Sequence, residues 1–199
     1  MPKSSDSLVS KHINLSEQNL NDLNRAQEAL NKTKSMQSRF IQLSSNGEYA
    51  EGEIFMLRPG KLKIVYDQPN PLMVVADGTY ISYIDRELDE ATTVLLRMTK
   101  ASLLLRENFL FSANDIIVSA FEKTKGLLKI SLLQKNEAQD GSLTLIFTDP
   151  PLELRKWVIT DAHGITTTVS LTDFKVNIPI DERNFIYTPP VKPELNTEN

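Results

Sequence analysis

From Phe40 onward the chain consists of short runs in which apolar and polar side chains alternate. Leu62, Ile64 and Tyr66 fall on one side of a two-residue period, and Lys61, Lys63 and Asp67 on the other. Leu143, Leu145 and Phe147 oppose Ser142, Thr144 and Thr148 in the same way. Such a period marks a strand with one apolar and one wetter face. Between the runs stand Asn46-Gly47, Pro59-Gly60, Asp77-Gly78, Lys125-Gly126, Asp140-Gly141 and His163-Gly164, which hold six of the seven glycines. These read as reversals that need positive φ. The pattern predicts strands over 38–45, 49–58, 61–67, 72–76, 79–84, 91–97, 115–124, 127–134, 142–148, 152–160, 165–171 and 173–178. Their regular spacing argues for an antiparallel meander.

The period is different before Phe40. Residues 14–36 contain neither Gly nor Pro and set Leu20, Leu23, Ala26 and Leu30 among charged and amide side chains, a spacing that predicts an amphipathic helix packed on a sheet. A second, short helix is predicted over 99–107, with the consecutive leucines Leu103 to Leu105. It reads as ordinary core or as a movable lid over an apolar cavity, and the pattern alone favours core. A dozen strands are more sheet than one helix covers, so the sheet must curl into a barrel or an open half-barrel with a filled hollow. Residues 1–13 are polar and expected to be loose, 14–190 to form one domain, and the proline-bearing 191–199 to be an extended tail.

Composition narrows the function. Of 199 residues, 40% are hydrophobic and 24% charged, as in an ordinary folded domain. The net charge of −4 gives no basic footprint for nucleic acid. With no cysteine there is no disulfide, thiolate nucleophile or cysteine metal site, and the two histidines, His12 and His163, lie far apart in sequence. No G-x-S-x-G, P-loop, G-x-G-x-x-G or H-E-x-x-H pattern occurs. Asp85, Glu87, Asp89 and Glu90 read as a solvated turn lacking the spacing of a calcium loop. His163 reads as a turn residue and Trp157 as a packing anchor. Neither an enzyme nor a cofactor is expected. Arg58 stands apart, because alternation puts it on the same face as Ile54 and Met56, where a guanidinium needs acceptors. The plainer reading is an exposed strand-end arginine.

The segment from Gly52 through Arg58-Pro59-Gly60 to Tyr66, then Pro69, then Val74-Val75-Ala76-Asp77-Gly78, resembles the outer-membrane lipoprotein carrier proteins (LolA). Phe40-x-Gln42, Tyr83-x-Asp85, the leucines at 103–105, Asp161-x-x-Gly164 and Phe185-x-Tyr187-Thr188-Pro189-Pro190 fit in order, so the likeness spans about residues 20–190. Ile64, where the family often has Trp, and Ala101, where it often has Pro, depart from the pattern.

The resemblance implies a mainly β (α+β) fold: a curved antiparallel sheet forming an unclosed half-barrel with a helical lid in its concave face. It implies a periplasmic carrier whose signal peptide has been removed and whose cavity holds lipoprotein acyl chains. The expected partners are acylated lipoproteins, the inner-membrane transporter that releases them and an outer-membrane acceptor, with the carrier a monomer. By the same resemblance Arg58 latches the lid and is needed for release. Ile54, Met56, Leu62, Ile64, Tyr66, Leu103 and Leu104 are candidates to line the cavity, against a plain-core reading for the strand residues. The other readings are a general lipid or glycolipid carrier, a lipoprotein-sensing module and, least favoured, an enzyme on a related half-barrel.

Overall fold

The computed structural model describes residues 15–135 and 141–188, so the segments 1–13 and 191–199 named above lie outside the described residues. In chain order the elements are α1 (Glu17–Lys32), β1 (Ser35–Ser44), β2 (Tyr49–Leu57), β3 (Lys61–Tyr66), β4 (Leu72–Asp77), β5 (Tyr80–Asp85), β6 (Glu90–Leu95), α2 (Ala101–Leu104), β7 (Ile116–Thr124), β8 (Gly126–Gln134), β9 (Ser142–Asp149), β10 (Glu153–Thr160) and β11 (Thr166–Val176). Single 3-10 turns cover Leu96–Met98 and Glu182–Phe185. The strands form one antiparallel sheet in the order β6-β5-β4-β3-β2-β1-β11-β10-β9-β8-β7, unclosed, with β6 and β7 as edges. The mainly β class with an open antiparallel sheet therefore holds.

Three boundaries differ from the sequence reading. The first helix stops at Lys32, and the chain is already in β1 at Ser35, where Met36 is buried opposite Met56. The two strands expected over 165–171 and 173–178 are one, β11, with Asp173 in the left-handed region (φ 48°) where the alternation breaks. The helix expected over 99–107 is a single turn, Ala101–Leu104. There the Thr99 and Ser102 hydroxyls donate to the carbonyls of Leu96 and Thr99, a local bonding that competes with a longer helix.

The chain divides into two compact units. The first comprises residues up to Leu30 together with Leu110–Thr168. Here β8 and β9 pair Leu128 with Phe147, Ile130 with Leu145 and Leu132 with Leu143, and all six side chains are sealed from solvent. Trp157 on β10 continues the row opposite Leu145. Helix α1 buries Leu23, Ala26 and Leu30, whereas Leu20, expected in the same stripe, is exposed and Asp22 is buried instead. Asp22 accepts from Lys123 Nζ on β7 (2.7 and 2.8 Å) and from Arg25 (2.8 Å), and Arg25 in turn forks onto Asp149 at the end of β9 (2.8 and 3.1 Å). The helix is thus tied to the sheet by a chain of four charges as well as by its apolar stripe.

The second unit comprises Asn31–Phe109 and the residues from Val169 on. Its strands stack three rows of side chains on one face. The first row is Met36, Met56, Leu62, Ala76 and Ile81, each the register partner of the next and all buried. The second is Ser38, Ile54, Ile64, Val74 and Tyr83, and the third begins Phe40, Gly52, Tyr66. Ser38 is buried among apolar neighbours because its hydroxyl donates to the Thr172 carbonyl (2.6 Å). In the third row Phe40 meets Tyr66 edge-on at 5.3 Å. Gly52 lies beneath that pair, where a Cβ would stand 2.2 Å from the Val65 carbonyl oxygen and 2.7 Å from the Phe40 ring. The opposite face of β3 and β4 is covered by the Glu182–Phe185 turn, whose Phe185 is buried and whose Glu182 pairs with Lys61.

Two outcomes follow for stability, both readable by urea denaturation. Gly52→Ala costs about 1–3 kcal/mol, since the new methyl collides with backbone that has nowhere to move. Asp22→Ala costs about 1–3 kcal/mol rather than more, because Lys123 and Arg25 are partly exposed and recover water when released.

Candidate functional site

The residues proposed from the sequence all fall in the second unit. Ile54, Met56 and Leu62 are buried on the three-row face, while Ile64 and Tyr66 on the same face remain half-buried. Ile54 stands opposite Ile64, and Met56 opposite Leu62. Tyr83, next to Val74 in the second row, is 44% exposed. The face is therefore sealed along its first row and opens to solvent along the later rows. Tyr66 donates its hydroxyl to Gln42 Oε1 (2.9 Å), and burial raises its pKa above the usual phenol value despite that bond. Tyr83 is raised by burial alone.

Arg58 closes β2 at the end of this face. It is 7% exposed, so the plainer reading of an exposed strand-end arginine is set aside. Its Nε donates to the Leu104 carbonyl at 2.8 Å, and Gly60 N donates to the Leu105 carbonyl at 2.8 Å. The end of α2 is thereby hung on the β2–β3 turn by its own terminal carbonyls, groups that a helix end leaves open. Burial pulls the Arg58 guanidinium down to about 10, which still leaves it charged at neutral pH. No buried side-chain nitrogen or oxygen among the described residues is without a hydrogen-bond partner.

The three leucines separate once the helix is one turn long. Leu103 is 1% exposed, Leu105 beyond the helix end is buried as well, and Leu104 is only half-buried, its carbonyl serving Arg58. Of the two lid candidates, Leu103 is the one that is sealed from solvent, and Leu104 is the one bonded to Arg58. The sequence reading missed Leu105 and also Phe109, which is fully buried and held through its backbone by both amide atoms of Asn31 (2.7 and 2.9 Å). The signal for Leu105 was present in the leucine run; that for Phe109 was not, because Asn31 lies 78 residues away. A separate cleft of about 560 Å³ lies among Gln68, Pro69, Asn70, Pro71, Arg86 and Glu87. Arg86 there donates to the carbonyls of Tyr66, Asn70 and Pro71 and so braces the two turns against each other.

Comparison with known proteins gives a consistent picture. A family model described as outer membrane lipoprotein carrier protein LolA matches residues 31–188. An outer-membrane lipoprotein carrier protein of Nitrosomonas europaea is 28% identical over 173 residues, covering 81% of this chain and 82% of the relative. One from Pseudoalteromonas translucida is 22% identical over 194 residues, covering 89% and 88%. Among solved structures, a LolA superfamily protein from Nitrosomonas europaea superposes with a TM-score of 0.50 at 9% identity over 83% of this chain and 97% of the other. A protein of a family of unknown function from Desulfovibrio piger does so with a TM-score of 0.53 at 10% identity, covering 83% and 95%. At those identities the structural matches speak for the fold.

Arg58→Leu is expected to stay folded, within about 2 kcal/mol of the parent by thermal or urea denaturation. Removing a buried cation offsets the hydrogen bond to Leu104 that is lost with it.

Proposed function

Because the chain belongs to the LolA family of outer-membrane lipoprotein carrier proteins, we propose that it is a periplasmic chaperone that carries lipoproteins by their acyl chains from an inner-membrane transporter to an outer-membrane acceptor or the membrane itself. Carriers of this family are not enzymes. The observation that carries the cargo reading is the partly open apolar face of the second unit, with Leu103 buried and Arg58 holding α2 by a carbonyl. In this reading Ile54, Met56, Leu62, Ile64 and Tyr66 form the wall that acyl chains meet.

The energetics suit a carrier that must also let go. Each buried CH₂ is worth about 0.8 kcal/mol, so three unopposed acyl chains would be held too tightly to be handed on. Leu103 supplies the opposing term. In the empty protein it covers apolar surface that acyl chains cover in the loaded one, so binding exchanges one burial for another and the net gain shrinks. Arg58 adds to the same side, because lifting α2 leaves a buried guanidinium without one of its acceptors. Loading therefore breaks a bond that unloading restores.

The test is to express the chain behind a periplasmic signal in a Gram-negative cell, purify it and weigh it intact under native conditions. Triacylated lipoprotein is expected to co-purify with the parent, to be absent from Leu103→Glu, and to persist several-fold longer on Arg58→Leu when acceptor membranes are added. Free phospholipid or glycolipid in its place would favour a general lipid carrier. A protein empty of any acyl chain would sink both readings.

A further inference from the structure

The edge strand β6 is built unlike the other edge of the sheet. Edge strands present unpaired backbone groups, and folds guard them with charges, prolines or bulges. Strand β7 has such guards, a register shift between Val118 and Ala120 and the charges of Glu122 and Lys123. Strand β6, Glu90-Ala91-Thr92-Thr93-Val94-Leu95, has no proline, no register shift and no charge after its first residue, and its first five residues are exposed.

The direction of its free groups can be derived. Leu96 N donates to the Thr79 carbonyl (2.9 Å), which makes that pair a bonded one in the β5–β6 ladder. Stepping by two along the register, the bonded pairs are Ile81 with Val94, Tyr83 with Thr92 and Asp85 with Glu90. Ala91, Thr93 and Leu95 therefore direct their N–H and C=O groups away from β5, out of the sheet.

We propose that β6 pairs antiparallel with β6 of a second copy of this chain, about a two-fold axis through Thr93. In that register Thr93 faces Thr93 of the second copy and Ala91 faces Leu95, in both senses, and every outward-directed group of β6 finds a partner. Three further features fit this occupant. Asp89 precedes the strand, Glu90 begins it and Arg97 follows it, none with an ion-pair partner among the described residues, and the two-fold brings the acidic end of one copy to Arg97 of the other. Leu88 and Met98, 65% and 66% exposed, flank the strand at its two ends and are carried toward each other across the axis. Pairing in this sense also keeps the two Glu90 side chains at opposite ends. The contact is small, one short strand per copy, so the association is weak and the monomer expected from the sequence is its dilute form.

The experiment uses the full chain, by sedimentation velocity over a concentration series reaching about 1 mM. The apparent mass is expected to rise from 22.5 kDa toward twice that value. Thr93→Pro should abolish the rise, since proline at an outward N–H leaves the β5–β6 ladder intact. Arg97→Glu should weaken it at least about tenfold, with Asp89→Lys and Glu90→Lys added to that variant restoring it. Should Thr93→Pro disturb folding, a cysteine readout remains, because the chain has no cysteine of its own. Thr93→Cys, on the axis, should oxidise to a disulfide-linked dimer far faster than Thr92→Cys, which lies off it. A single-chain mass throughout, an association indifferent to Thr93→Pro and Arg97→Glu, or equal cross-linking of the two cysteine variants would overturn the proposal. So would capture of an extended peptide from another protein by a β6 that never self-associates.

Discussion

The β2–β3 turn is the point on which the second unit depends. A strand register allows no intermediate error, because a slip of one residue sends every side chain to the other face. The turn Arg58-Pro59-Gly60 fixes that register, setting Met56 against Leu62 and Ile54 against Ile64. It also carries the end of α2 through Arg58 Nε and Gly60 N. Gly60 has a positive φ of 76°, and a Cβ on it would come within 2.7 Å of the Gly78 Cα in the next hairpin. Pairing, helix position and the approach of two turns are thus settled in three residues. A change there shifts the β2–β3 register and the end of α2 together.

The two units use the same ingredients differently. In the first, sheet and helix close on one another completely, and the charges of Asp22, Lys123, Arg25 and Asp149 neutralise one another at the rim. Arg25 holds Asp149 well below the usual carboxylate range, so that carboxylate stays ionised in moderately acidic solution. In the second unit Arg58 is buried, with its Nε on the Leu104 carbonyl at the end of α2. Burial depresses that cation, where pairing raises Arg25. The first arrangement favours permanence. The second ties a helix end to a turn by two hydrogen bonds.

Period-two alternation and turn glycines made the sheet legible from sequence, and all six turn glycines have positive φ. What local pattern could not carry was anything settled by distant chain. Leu20 has the spacing of a core residue, yet Asp22 took the buried place because Lys123 comes to meet it from 101 residues away. The helix over 99–107 looked longer than one turn because leucine favours helix, while the hydroxyls of Thr99 and Ser102 act only at close range. At Thr172 and Asp173 the alternation fails and predicts a strand end, but a single residue with positive φ absorbs the fault. Parity and the family resemblance single out Arg58. Its burial and its carbonyl partner needed the fold, and the wall residues became rows only when five strands were aligned.

The aromatic residues are divided between the units in a way that has an optical consequence. Trp157, the one tryptophan, is buried in the first unit, and the five tyrosines, Tyr49, Tyr66, Tyr80, Tyr83 and Tyr187, all belong to the second. The chain therefore carries two native chromophores that report on separate bodies of structure. Indole emission follows the sealed core, and phenol absorbance follows the wall that includes Tyr66 and Tyr83. A change in the surroundings of Tyr66 or Tyr83 registers in the tyrosine band while the tryptophan serves as an internal reference.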